Sequence, residues 1–127
     1  MPLRLLKKEF AMNNLKEFYE KIGGNLSEVL GRFPNVTILE HFLGKYAKDP
    51  TFENFLNALD KKDLENAFLS AHTLKGIALN LGFGNLQSVA SELTESLRSR
   101  EKMPDVALVE LLKKEQYAIL DALKASE

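Results

Sequence analysis

Apolar residues recur every three to four positions along almost the whole chain, and no sustained two-residue alternation outcompetes that rhythm. A helix repeats about every 3.6 residues and a strand every two, so one period held throughout leaves a single fold class open, all-α. Breaks in the rhythm mark where helices end: Gly23-Gly24, Phe33-Pro34-Asn35, Asp49-Pro50, Asp60 to Asp63, Gly82 to Asn85 and Met103-Pro104-Asp105. They predict helices over about 13–22, 26–31, 36–47, 50–60, 62–81, 84–99 and 104–125. Asp49 before Pro50 reads as an N-cap followed by proline at the first helical position. Glycine favours the left-handed C-cap, so Gly23-Gly24 reads as a helix terminus. Short connectors make consecutive helices antiparallel neighbours, which gives an up-down helical bundle.

At 127 residues the chain is expected to be a single domain, 1–127, with enough length to bury one core. It has no cysteine, which excludes disulfides and thiolate zinc sites. The formal net charge is −1 with acids and bases interspersed, so the sequence offers no broad basic field for nucleic acid or a membrane surface. No apolar run approaches the roughly 20 residues that span a bilayer. The first ten residues are amphipathic and too briefly apolar for a secretory signal, which makes a cytoplasmic location the expectation. The initiating methionine and the terminal helices suit a stand-alone protein, and a monomer is expected.

Two stripes are plain: Leu86, Val89, Ala90, Leu93 and Leu97 in one helix, and Val106, Val109, Leu112, Gln116, Ile119 and Leu123 in the last. In the helix over 62–81 the stripe is Leu64, Ala67, Ala71, Leu74, Ala78 and Leu81. At about 100° per residue, His72 lies some 130° from the centre of that stripe and must face outward. The small alanines allow neighbouring helices close. Around His72 on the outer face stand Phe68 and Leu69 on one turn, Lys75 and Gly76 on the next, and Leu79 beyond. Large apolar residues around an exposed histidine suit a docking patch, and Phe83 past the helix end extends it.

A histidine, a lysine and a glycine together in mid-helix need an explanation, since glycine there costs about 1 kcal/mol relative to alanine. An imidazole, with an ordinary pKa near 6.5, is mostly neutral at pH 7, and its free ring nitrogen can attack a phosphoryl group. An ammonium at i+3, Lys75, can meet the anionic oxygens of the product. Glycine at i+4, Gly76, removes a side chain beside the ring and lets a partner approach. No catalytic base, metal cluster or phosphate-cradling loop accompanies them, although phosphoryl transfer normally uses a metal ion and positioned charge. The pattern is that of a carrier of a phosphoryl group, not a complete enzyme, with no cofactor or metal of its own. His41, in "EHFLGKY", is the internal contrast. Its lysine and glycine are exchanged, it lies where Ile38, Phe42 and Tyr46 need a core face, and two histidines lack the further ligands of a metal site.

"AHTLKGIALNLG" resembles the signature of histidine-containing phosphotransfer (HPt) domains, close to H-x-L-K-G-x-A-x-x-L-G, with His72, Leu74, Lys75, Gly76, Ala78, Leu81 and Gly82 at the matching positions. "ALDKKDLENAFLSA" before it and "LQSVASELTESLR" after it are similar to the flanking segments of that family, so the likeness spans roughly residues 36–100. The resemblance implies a four-helix bundle core over about 35–125 with extra short N-terminal helices over about 1–34. It implies phosphoryl exchange between His72 and the aspartate of a response-regulator receiver domain, or with a hybrid histidine kinase, in a two-component phosphorelay. Mg²⁺ is then expected on the receiver. Many members carry a polar side chain on the following helix near the ring, and the matching position here is Thr94. The alternative is a helical interaction module that docks a partner through the same face without phosphorylation. A self-contained kinase would need an ATP-binding segment that the chain does not supply.

Overall fold

Gly82 adopts φ +72, the left-handed conformation that glycine takes without strain, and it reverses the chain between two helices that pack on one another. The amide of Phe83 reaches back to the Ala78 carbonyl at 2.8 Å and closes the turn. The computed structural model describes residue 12 and residues 14–125, and all its described elements are helices. They are α1 (residues 14–21), α2 (Leu26–Leu30), α3 (Val36–Tyr46), α4 (Thr51–Asp60), α5 (Leu64–Leu81), α6 (Gly84–Leu97) and α7 (Val106–Ala125). Expectations for residues 1–11, 13, 126 and 127 fall outside the described residues.

The boundaries follow local chemistry. Asp63 caps α5 by accepting from the Asn66 amide at 3.1 Å, and Asn25 and Asn35 cap α2 and α3 in the same way. At α4 the expected cap is displaced by one residue. Pro50 is the N-cap, and Asp49 reaches over it to accept from the Thr51 amide at 2.8 Å. Gly23, at φ +64, ends α1, and the Gly24 amide returns to the Tyr19 carbonyl at 2.9 Å.

α5 is the central element, packed on α4 before it and α6 after it, and α6 in turn packs on α7. Its buried face is Ala67, Phe68, Ala71, Leu74, Ala78 and Leu81, so Phe68 joins the expected stripe and Leu64 is only half-buried. The α6 face is the expected one with Thr94 added. On α7 the only polar stripe residue, Gln116, is buried because the Tyr46 hydroxyl of α3 donates to it. Burial pushes the Tyr46 hydroxyl well above the ordinary tyrosine range.

Three expectations are corrected. Val106, expected on the α7 stripe, is exposed at the start of that helix, whose buried residues are Leu112, Gln116, Ile119 and Ala122. α3 turns Leu39, Leu43 and Tyr46 inward; Phe42 is exposed and packs on the Phe33 ring at 5.5 Å. Phe83 is fully buried, so it does not extend an outer patch. The left-handed turn at Gly82 swings it beneath α5, where its ring meets those of Phe18 at 6.1 Å, Tyr19 at 6.4 Å and Tyr46 at 5.0 Å.

The last four carbonyls of a helix have no partner within it. In α5 they are all satisfied. The turn amides take Ala78 and Leu79, the Tyr19 hydroxyl donates to Leu81 at 2.6 Å, and Arg32 donates to Leu79 and, at 3.4 Å, to Asn80. The Asn25 amide extends the pattern to the Gly82 carbonyl at 3.3 Å. The N-terminal segment is thus the C-terminal cap of the histidine-bearing helix, with the Arg32 charge favourably placed at a helix C-terminus.

Two stability measurements check these assignments by urea denaturation. Phe83→Ala is expected to lose roughly 3–5 kcal/mol, as for a large buried aromatic. Tyr19→Phe, which strands the Leu81 carbonyl, should lose roughly 1–3 kcal/mol. An unchanged midpoint in either variant would contradict the packing described.

Candidate functional site

Helix geometry alone places the site. With Ala71, Leu74 and Ala78 held against neighbouring helices, His72 is exposed midway along α5, Gly76 is exposed one turn on, and Lys75 is half-buried at the flank of the same face. Leu69 and Leu79 are also exposed, at 48% and 44%, and bracket the histidine along the helix. A Cβ added at Gly76 would meet nothing within 4 Å. Packing within the chain therefore does not account for glycine at this position. At the centre of this face is an imidazole with open space beside it at Gly76.

Phe68, one turn before His72, stands where that outward face meets the buried one and is only 8% exposed. It is covered by two guanidinium groups. The Arg100 carbon stands 3.8 Å from its ring centre and the Arg98 carbon 5.6 Å. The His72 ring lies nearly parallel to it, at 11° and 6.2 Å between centres. The expected apolar collar is therefore reduced to Leu69 and Leu79, with Phe68 sealed beneath arginines and Phe83 in the core.

Thr94 does not face the ring. It is fully buried, and its hydroxyl donates to the Ala90 carbonyl of its own helix at 2.7 Å. It stands near the height of His72 but at the wrong rotation, because α6 turns that position toward the core. Its neighbour Glu95, about 100° further round, is exposed and lies close enough to Lys75 of α5 to feel its charge. Glu95 is held by Arg98 through two hydrogen bonds of 3.0 and 2.7 Å. The Arg98 hydrogen bond holds the Glu95 carboxyl below the usual carboxylate range, with a smaller electrostatic contribution from Lys75. Lys75 of α5 and the Glu95–Arg98 pair of α6 therefore share one electrostatic neighbourhood.

Arg98 and Arg100 are the site residues that sequence reasoning missed. The available signal was the hairpin itself: folding back at Gly82 brings the residues just past α6 level with the first turns of α5, and Arg100 duly meets Glu65 at 2.9 Å. His41 is exposed on α3, beside Phe42. Among the described residues no group of three or more His, Cys, Asp or Glu side chains is arranged to hold a metal ion, and no helix is long and apolar enough to cross a membrane.

A family model described as Hpt domain matches residues 38–126, most of the chain and all of α4 to α7. No curated protein and no solved structure matches the chain.

Replacing Gly76 with alanine tests the open side of the site directly. Because alanine is the better helix former and finds free space, Gly76→Ala should leave folding stability unchanged or raise it by about 0.5–1 kcal/mol in urea denaturation. A destabilised variant would mean that the space beside His72 is filled.

Proposed function

Taking as premise that the chain belongs to the Hpt domain family, whose members are phosphocarriers of two-component relays, we propose that His72 is the residue that carries the phosphoryl group. The observation that carries this reading is the combination at one point of α5: an exposed imidazole, a lysine one turn on, and a glycine with open space above it. The partner is the receiver domain of a response regulator or hybrid kinase, whose phosphoaspartate is the donor and whose aspartate is the acceptor in the reverse direction.

In the forward step the lone pair of the unprotonated ring nitrogen forms a nitrogen–phosphorus bond as the phosphorus–oxygen bond of the aspartyl phosphate breaks. The carboxylate leaves with the bonding electrons, and the ring proton stays on the other nitrogen. Lys75 meets the phosphoryl oxygens as a mobile point charge. Gly76 lets the partner's carboxylate and its loop come alongside the ring. Leu69 and Leu79 supply the apolar contact on either side. The metal ion that phosphoryl transfer uses, Mg²⁺, would sit on the receiver. This chain contributes the nucleophile, the neighbouring charge and the landing surface.

Three variants separate these roles when phosphoryl transfer from a charged receiver domain is followed with time. His72→Gln should accept no phosphate while keeping its full helix content by circular dichroism, since the position lies off the core. Lys75→Ala should still be labelled but more slowly, by roughly ten- to a hundredfold, as for loss of one charged group aimed at a transferring phosphoryl. Gly76→Ala should fold normally and transfer poorly. Wild-type labelling of His72→Gln would overturn the assignment.

A further inference from the structure

An exposed histidine on a helix has two free side-chain torsions and samples several staggered orientations. Attack on phosphorus needs one of them, with the nitrogen lone pair in line with the bond that breaks, so time spent in other orientations lowers the rate. The question is what holds the imidazole. On the partner-facing side the space is open, since Gly76 offers no side chain. On the other side is the parallel ring of Phe68, one turn earlier.

We propose that Phe68 is a positioning residue for His72: covered by Arg100, which Glu65 holds in place, its ring sets the plane in which the imidazole meets the phosphoryl donor. The proposal rests on His72 being the phosphoryl acceptor. Phe68 is buried at the edge of the core, and its outer side is covered by arginine. The Arg100 guanidinium covers its ring at 3.8 Å and is itself fixed twice, donating to Glu65 at 2.9 Å and to the Arg98 carbonyl at 2.7 Å. Arg100 has φ +56, a left-handed conformation that residues with a side chain adopt uncommonly, and its amide bonds the Leu97 carbonyl at 2.9 Å. That tight reversal just past α6 returns the side chain across the start of α5. The order of contacts is Glu65, Arg100, Phe68, His72, running from a salt bridge to the reacting ring. A leucine at position 68 would satisfy burial equally well. Only an aromatic offers a plane for the imidazole to lie against and a face for the guanidinium to cover.

The test uses the full chain with Phe68→Leu, Phe68→Tyr and Arg100→Gln. Initial rates of phosphoryl transfer are measured against the concentration of a charged receiver domain, and the His72 ring-proton resonances are recorded on the unphosphorylated protein. Phe68→Leu is expected to lower the limiting rate roughly tenfold, with the half-saturating receiver concentration unchanged. Phe68→Tyr, which keeps the plane, should stay within about twofold of wild type, and Arg100→Gln should fall between the two. In Phe68→Leu and Arg100→Gln the His72 resonances should move toward the positions of an unstacked histidine. A wild-type limiting rate in both Phe68→Leu and Arg100→Gln overturns the proposal. So does a change confined to the half-saturating concentration, which would make Phe68 part of the docking contact. If circular dichroism shows Phe68→Leu to be misfolded, the surface variant Arg100→Gln decides. If the wild-type chain accepts no phosphate at all, the carrier reading fails on its own terms, and the His72 resonances still decide the stack.

Discussion

The close approach of α5 to its neighbours fixes everything that matters for the site. Ala67, Ala71 and Ala78 on α5 and Ala90 on α6 are all buried, and small side chains at those points let the helices lie near one another. Once that face is committed, the rotation of α5 has no freedom left, and residues about 130° away must point to solvent. His72 is outward because the alanines are inward. An 18-residue helix that is buried on one side and bare on the other is a rigid platform for a reactive side chain, more so than a loop would be.

A helix so placed also needs its end secured, and here the N-terminal segment participates in the site's scaffold without approaching His72. Tyr19, Asn25 and Arg32 satisfy carbonyls at or just past the C-terminus of α5, and Phe18 and Tyr19 pack on Phe83 immediately after it. At the other end of α5, Asp63 caps the first turn, and the Glu65–Arg100 pair ties that turn to the chain leaving α6. Between these two fixed ends the outer face carries Lys75 beside the Glu95–Arg98 pair, so positive charge lies near His72 with carboxylates that limit it. That balance suits the role proposed for His72, which is to receive a phosphoryl group and then give it up.

Much of this was legible in the residues. Helix limits followed from caps and glycines, because those signals act within a few residues of the chain. The outward aim of His72 followed from the stripe of Ala67, Ala71, Leu74 and Ala78, because rotation within one helix needs no knowledge of its neighbours. What failed was what depends on two helices at once. Thr94 stands near the right height but faces inward, since the rotation of α6 about its own axis is set by Leu86, Leu93 and Leu97 packing inward. Phe83 is a large apolar residue beside a turn, and only the direction of the chain after Gly82 decides that it enters the core. Phe42 went the other way, because α3 meets the bundle through Leu39, Leu43 and Tyr46. Arg98 and Arg100 read as ordinary surface charge in a polar stretch, and their contact with Phe68 spans some thirty residues of sequence.

The most direct measurement of the central claim is to locate the phosphate. The purified chain is incubated with Mg²⁺ and a receiver domain charged by a small-molecule phosphodonor, then digested and mapped by mass spectrometry at neutral to alkaline pH, where a phosphoramidate survives. The account predicts one modified residue, His72, in the peptide that contains Lys75 and Gly76. Phosphate on His41 or elsewhere, or none from several receivers that nonetheless bind, would contradict it and leave the outer face of α5 as a docking surface alone.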